Sequence, residues 1–130
     1  MAYYLDTSAC IKLVIAESES TAMRRWTRAH SDSLFSSELL RVEALRTARQ
    51  ISPAAIVAVE TIVDSRPLVG LDAEVCARAA TLEPLLLRSL DALHLAAAMT
   101  YDDELQGIVT YDDRLAEAAE RHHVAVLAPS

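Results

Sequence analysis

Glycine is nearly missing from these 130 residues: Gly70 and Gly107 are the only two. That excludes both a Gly-rich phosphate loop and a dinucleotide-binding turn. Cysteine is as scarce. Cys10 and Cys76 stand far apart without CxxC spacing, which argues against a disulfide framework or a zinc site and predicts two reduced, buried thiols acting as small hydrophobes. No apolar run approaches the roughly 20 residues of a membrane span, and no charged start leads into an apolar run and cleavage site. The expectation is a cytoplasmic protein with no membrane contact. Lysine occurs once, as Lys12, against eleven arginines. A phosphoacceptor receiver domain would need a lysine near its last strands, and a haloacid-dehalogenase-type phosphatase would need a second aspartate where Ser8 stands. The net charge of −7 has the wrong sign for gripping nucleic acid through the overall field, so any such binding must be local.

Apolar residues are plentiful, at 52%, enough for one self-sufficient domain over residues 1–130. Tyr3, Tyr4 and Leu5 read as a buried strand that runs straight into Asp6, Thr7 and Ser8, residues that favour a turn or a helix start. Helices are expected over residues 8–16 and 19–29, then a strand over 33–36 and a helix opened by Ser37 and Glu38 through Gln50. Pro53 starts an apolar helix ending near Ser65, as core or as a protomer interface. Residues 66–71 form a third strand, and Asp72 caps a helix with Val75, Ala79 and Leu82 inward. Glu83 and Pro84 interrupt before a buried helix beginning near Ser89. Residues 107–110 form a fourth strand, Asp112 leads a helix to about His122, and residues 124–127 close the sheet. This order, βααβααβααβαβ, predicts a three-layer α/β/α domain with a mainly parallel sheet of about five short strands.

The acids are the chemistry. Asp6 and Asp112 each follow a strand at the sheet edge where open α/β folds bind ligands. Taken alone, Asp6 is equally a helix N-cap, Glu43 an ordinary partner for Arg46 at i+3, and Asp91 a helix-start acid stabilised by the macrodipole. His94, at i+3 from Asp91, reads as a hydrogen-bonded structural histidine, and His122 and His123 as surface residues. Arg24, Arg25 and Arg28 read as a solvated helix face. If Asp6, Glu43, Asp91 and Asp112 converge, they repel unless a cation neutralises them. Oxygen-only donors suit Mg²⁺ or Mn²⁺, and such a site suits phosphodiester hydrolysis.

The segments YYLDTS, SELLRVEALR, SLDALHLAAA and VTYDDRL resemble, in order and character, the four acidic blocks of PIN-domain nucleases. Over its whole length the chain resembles VapC-type toxins of bacterial toxin–antitoxin pairs. The resemblance implies a PIN-like domain and an endoribonuclease dependent on Mg²⁺ or Mn²⁺. Asp6 and Asp91 would be the principal ligands, with Glu43 and Asp112 completing the pocket. The neighbouring Asp113 leaves open which of the pair faces inward, and Asp112 is favoured because it directly follows the strand-terminal Thr-Tyr. Thr7, Ser8 and Thr110 would bond phosphate or orient the carboxylates, and Arg46, with Arg49, would help choose the RNA. The resemblance also implies a homodimer silenced by a cognate VapB-type antitoxin, an arginine of which would enter the pocket. The alternative is a catalytically inactive PIN-like or receiver-like binding module.

Overall fold

Alternation along the first strand divides the molecule into two cores. Strand β1 (Ala2–Leu5) turns Ala2 and Tyr4 to one face of the sheet and Tyr3 and Leu5 to the other, as the two-residue period of a strand requires. The computed structural model describes residues 1–130. After β1 the chain runs through α1 (Thr7–Val14), α2 (Ser20–Ala29), β2 (Leu34–Ser37), α3 (Glu38–Arg49), α4 (Pro53–Asp64) and β3 (Leu68–Val69). It continues through α5 (Ala73–Thr81), α6 (Ser89–Met99), β4 (Leu105–Val109), α7 (Asp113–Arg121) and β5 (Val126–Leu127). The order of elements is the one the sequence predicts, and the fold is a three-layer α/β/α sandwich around a five-stranded parallel sheet.

One core packs Tyr4, Phe35 and Ile108 against Val75, Leu95 and Leu115 from α5, α6 and α7. The alanines of α6, Ala96, Ala97 and Ala98, are fully buried and let that helix approach the strands closely. The opposite core packs Leu5 and Val109 against Cys10, Met23, Leu40 and Val59 from α1 to α4. Each fully buried Leu or Ile contributes about 2 kcal/mol through the apolar surface it removes from water. On α4, Ala55, Val59 and Val63 point inward while Val57 is left exposed, so this helix is core on one stripe only.

Local chemistry starts the helices. Ser52 caps α4 by accepting from the Ala55 amide at 3.0 Å, with Pro53 at the first helical position. Asp72 caps α5 through the Val75 amide at 2.9 Å. Ser37 precedes α3 without a side-chain cap, because its Oγ is committed to the Tyr4 hydroxyl at 2.8 Å.

Several boundaries differ from the sequence reading. The third and last strands shrink to two residues each, since each lies at an edge with one neighbour. Strand β4 starts earlier, at Leu105, where it pairs with Ala2. Cys10 is buried as expected, but Cys76 is exposed. It lies one position beyond the buried Val75, and the roughly 100° turn per helical residue carries it off the inward stripe. His123 is on the surface, whereas His122 is partly buried and bonds the Glu83 carbonyl at 2.8 Å through Nε2.

Gly107 explains its own place in β4. A Cβ there would fall 2.6 Å from Leu127 Cδ1 and 2.9 Å from the Ala125 carbonyl oxygen. Backbone and side chain of the β5 segment therefore approach too closely for any other residue. Gly107→Ala is expected to destabilise the protein by about 2 kcal/mol, read as a lower urea midpoint; an unchanged midpoint would contradict this packing.

Candidate active site

The strand order reverses direction at β1: the chain first builds β2 and β3 on one side, then returns to place β4 and β5 on the other. The crevice at the carboxyl ends of β1 and β4 is thus the switch point where parallel α/β sheets present ligand sites. Asp6 follows β1 there and Thr110 follows β4. Both are buried, Asp6 at 4% exposure and Thr110 at 1%.

Asp6 is held by one oxygen. Its Oδ2 accepts from Ser8 Oγ at 2.7 Å, from Thr110 Oγ1 at 2.7 Å and, weakly, from the Ser8 amide at 3.4 Å. The helix cap anticipated for Asp6 therefore exists, but two hydroxyls hold the carboxylate more tightly than the amide does. Ser8 Oγ also accepts from the Tyr111 amide at 2.9 Å, and Thr110 Oγ1 accepts from the Asp112 amide at 3.0 Å. These bonds tie the start of α1 to the turn between β4 and α7. Asp6 Oδ1 lies 3.4 Å from His94 Nε2.

Glu43 reaches the same crevice from the middle of α3. Its Oε1 accepts from Thr7 Oγ1 at 2.7 Å and from His94 Nε2 at 2.6 Å. Arg46 is exposed and forms no ion pair with Glu43, so the simple i+3 pairing is not made. It lies instead with Arg49 and Gln50 around an open cleft of about 430 Å³. Half-burial pushes the Glu43 carboxyl up, yet the bonds from His94 and Thr7 outweigh it and hold the group below its ordinary value.

The carboxylate of Asp91, in the first turn of α6, makes no hydrogen bond or ion pair. Burial, then the charge of Asp112 and that of Asp6, push its carboxyl above the ordinary value. Asp112 and Asp6 thus act on Asp91 through their charge, while Arg88 and His94 oppose them. Asp112 leads α7, its Oδ1 accepting from the Arg114 and Leu115 amides at 2.9 and 3.1 Å; Asp113 is exposed to solvent. Asp91 also lines a groove of about 190 Å³ whose walls include Leu86, Arg88, Arg114 and Glu117.

A pattern recurs across the acids. Asp6, Glu43 and Asp112 each have one oxygen anchored by hydroxyl, imidazole or amide donors, leaving the second outside those bonds. The hydroxyls of Thr7, Ser8 and Thr110 serve the carboxylates. As the side chains stand, no group of three or more His, Cys, Asp or Glu is arranged to hold a metal ion. The donor chemistry nonetheless suits a hard cation: the free donors are carboxylate oxygens, and the one nearby nitrogen, His94 Nε2, is committed to Glu43.

The residues that sequence reasoning passed over are Arg88, Arg114 and Tyr4. Arg88 is the extended residue just before α6, three positions ahead of Asp91, a spacing that could have found it. Tyr4 carries no such signal, because its hydroxyl meets His94 across the sheet–helix boundary.

A PIN domain pattern matches residues 3–121 of the chain. Ribonuclease VapC35 of Mycobacterium tuberculosis is 40% identical over 129 residues, which is 97% of this chain and 96% of that protein. Ribonuclease VapC46 of the same species is also 40% identical over 129 residues, covering 99% of this chain and 98% of its own. Ribonuclease VapC47 is 42% identical over 116 residues, covering 86% and 85%. Among solved structures, DNA-bound VapBC from Salmonella typhimurium superposes with a TM-score of 0.73 at 16% identity, covering 98% of this chain and 97% of the matched one. VapBC2 from Rickettsia felis, bound to a DNA fragment from its promoter, gives 0.74 at 12% identity and 98% coverage of both chains. At those identities the structural likeness is one of fold. The full-length sequence relatives and the PIN pattern go further, and this chain belongs to the PIN-domain family, in its VapC branch.

Proposed function

We propose that this protein is the toxin of a toxin–antitoxin pair, an endoribonuclease that hydrolyses RNA phosphodiester bonds in the crevice between β1 and β4 and depends on Mg²⁺ or Mn²⁺. What supports the reading at the switch point is the pair of acids brought together there, Glu43 Oε1 at 2.6 Å and Asp6 Oδ1 at 3.4 Å from the same His94 Nε2, with the carboxyl of Asp91 pushed up by its acidic neighbours. VapC ribonucleases of the same length and 40% identity support the activity. The VapBC complexes of the same fold support an antitoxin partner.

Asp6 and Asp91 would be the main ligands of the cation, with Glu43 and Asp112 beside them directly or through water. A hard divalent ion supplies, when bound, a water of lowered pKa and positive charge for the developing phosphorane. The rest is done by the chain. Ser8 and Thr110 orient Asp6, Thr7 and His94 orient Glu43, and the cap of α7 orients Asp112. Arg88 and Arg114, on the groove beside Asp91, and Arg46 with Arg49 would take phosphates outside the crevice, supplying locally the positive charge that the acidic body lacks. Leu85, Leu86 and Leu90 are exposed at 90%, 91% and 50%. So large an apolar surface beside the site supports a protein partner, the antitoxin or a second protomer. No helix is long and apolar enough to cross a membrane, and the free thiols suit the reducing cytoplasm where the RNA would be met.

The test is cleavage of end-labelled RNA by the purified protein with Mg²⁺ or Mn²⁺. Internal cuts, suppressed by adding a cognate VapB-type antitoxin, are expected. Intact RNA under all metal conditions would leave a binding module in place of an enzyme.

A further inference from the structure

His94 is buried to 3% exposure on the same face of α6 as Asp91, yet it is not packed as a hydrocarbon. Both ring nitrogens are engaged. Nε2 lies 2.6 Å from Glu43 Oε1 and 3.4 Å from Asp6 Oδ1, and Nδ1 lies 2.7 Å from the Tyr4 hydroxyl. That hydroxyl continues to Ser37 Oγ at 2.8 Å, and Ser37 is the residue from which α3, the helix of Glu43, departs. A carboxylate oxygen only accepts, so Nε2 carries the proton it shares with Glu43. With a neutral ring the Tyr4 hydroxyl donates to Nδ1. With a charged ring Nδ1 donates to that hydroxyl, which donates to Ser37. Either arrangement keeps Nε2 as the donor to Glu43.

We propose that His94 is a positioning residue of the acidic site. It clamps Glu43 Oε1 beside Asp6 Oδ1 and so presets these two acids, contributed by α3 and the tip of β1, for a shared divalent cation. The ring is itself aligned by Tyr4 and Ser37, so the clamp is braced from the core side. The arrangement is a second layer of support in which a donor fixes a ligand it does not replace. This inference rests on the acidic-site reading of the preceding section.

Two isosteres separate positioning from packing. Gln at position 94 extends an amide donor to where Nε2 stands, whereas Asn reaches only the place of Nδ1, beside Tyr4. Binding of Mn²⁺ alone to the full chain, measured by titration calorimetry, is expected to weaken at least about tenfold in His94→Asn and to stay within about threefold of wild type in His94→Gln. The Gln variant should likewise recover RNA cleavage relative to the Asn variant. A purely structural histidine would instead lower the melting temperature in both variants and leave Mn²⁺ affinity alike in the two, which overturns the proposal. If His94→Asn does not fold, His94→Ala takes its place as the variant without a donor at Nε2, and His94→Gln folded but weakened tenfold toward Mn²⁺ refutes the clamp. Wild-type protein that does not bind Mn²⁺ would remove the acidic-site reading and this inference together. Normal binding that is indifferent to residue 94 would remove only the inference.

Discussion

Asp6→Asn is expected to lower RNA cleavage about a thousandfold, equivalent to roughly 4 kcal/mol of transition-state stabilisation, while leaving the fold in place. The side chain is almost wholly buried, and its Oδ2 is fixed by Ser8 and Thr110. An asparagine oxygen can accept from the same two hydroxyls, so shape and anchoring survive. What disappears is the negative charge at the sheet tip, the feature a cation and a polarised water would need. Removing a buried charge from the neighbourhood of Glu43 and Asp91 also relieves repulsion, so the melting temperature should move by less than about 5 °C. Cleavage by the Asn variant at near wild-type rate, measured on labelled RNA, would take the chemistry away from this crevice.

Withdrawal of divalent cations should abolish cleavage and expose the strain among the acids. With EDTA present the expected rate is background, restored by excess Mg²⁺ or Mn²⁺. Without RNA, Mn²⁺ at about one hundred times its dissociation constant should stabilise the protein by about 2.7 kcal/mol by mass action. For a chain of this size that corresponds to a rise of about 10 °C in melting temperature. The reason is visible at Asp91, which has no partner and whose carboxyl is pushed up by burial and by its acidic neighbours. Asp6→Asn should lose most of the rise. Undiminished cleavage in EDTA, or an equal thermal shift in the Asn variant, would show that no cation is held by these residues.

The two largest effects fall on Asp6 because it is where local and global structure coincide. A strand of alternating burial that ends in an acid is readable from Tyr3, Tyr4, Leu5 and Asp6 alone, since side-chain direction in a strand depends only on position. Asp112 is legible for another reason, as an acid three residues past β4 that caps α7 through the Arg114 and Leu115 amides, while its neighbour Asp113 is exposed. Cys76 was misplaced because a single thiol carries no periodicity; Val75 does, and the helix it anchors turns Cys76 to solvent.

Glu43 marks the limit. Its helix follows from the sequence, but its face and partner do not: Val42 is exposed while Leu40, Ala44 and Ala48 make the buried stripe, and Arg46 is close in sequence, while His94, 51 residues away, is the one that meets it. Local spacing determines which way a side chain points, and on that basis the chain by itself determined its element order, its sheet-tip acids and its exclusion of phosphate-loop chemistry. The tertiary structure alone decided that β1 lies beside β4, that Thr7, Ser8 and Thr110 spend their hydroxyls on carboxylates, and that His94 stands between Glu43 and Asp6. Those contacts join segments whose separation along the chain carries no periodic signal, and only burial of the two cores on either side of the sheet brings them within hydrogen-bonding reach.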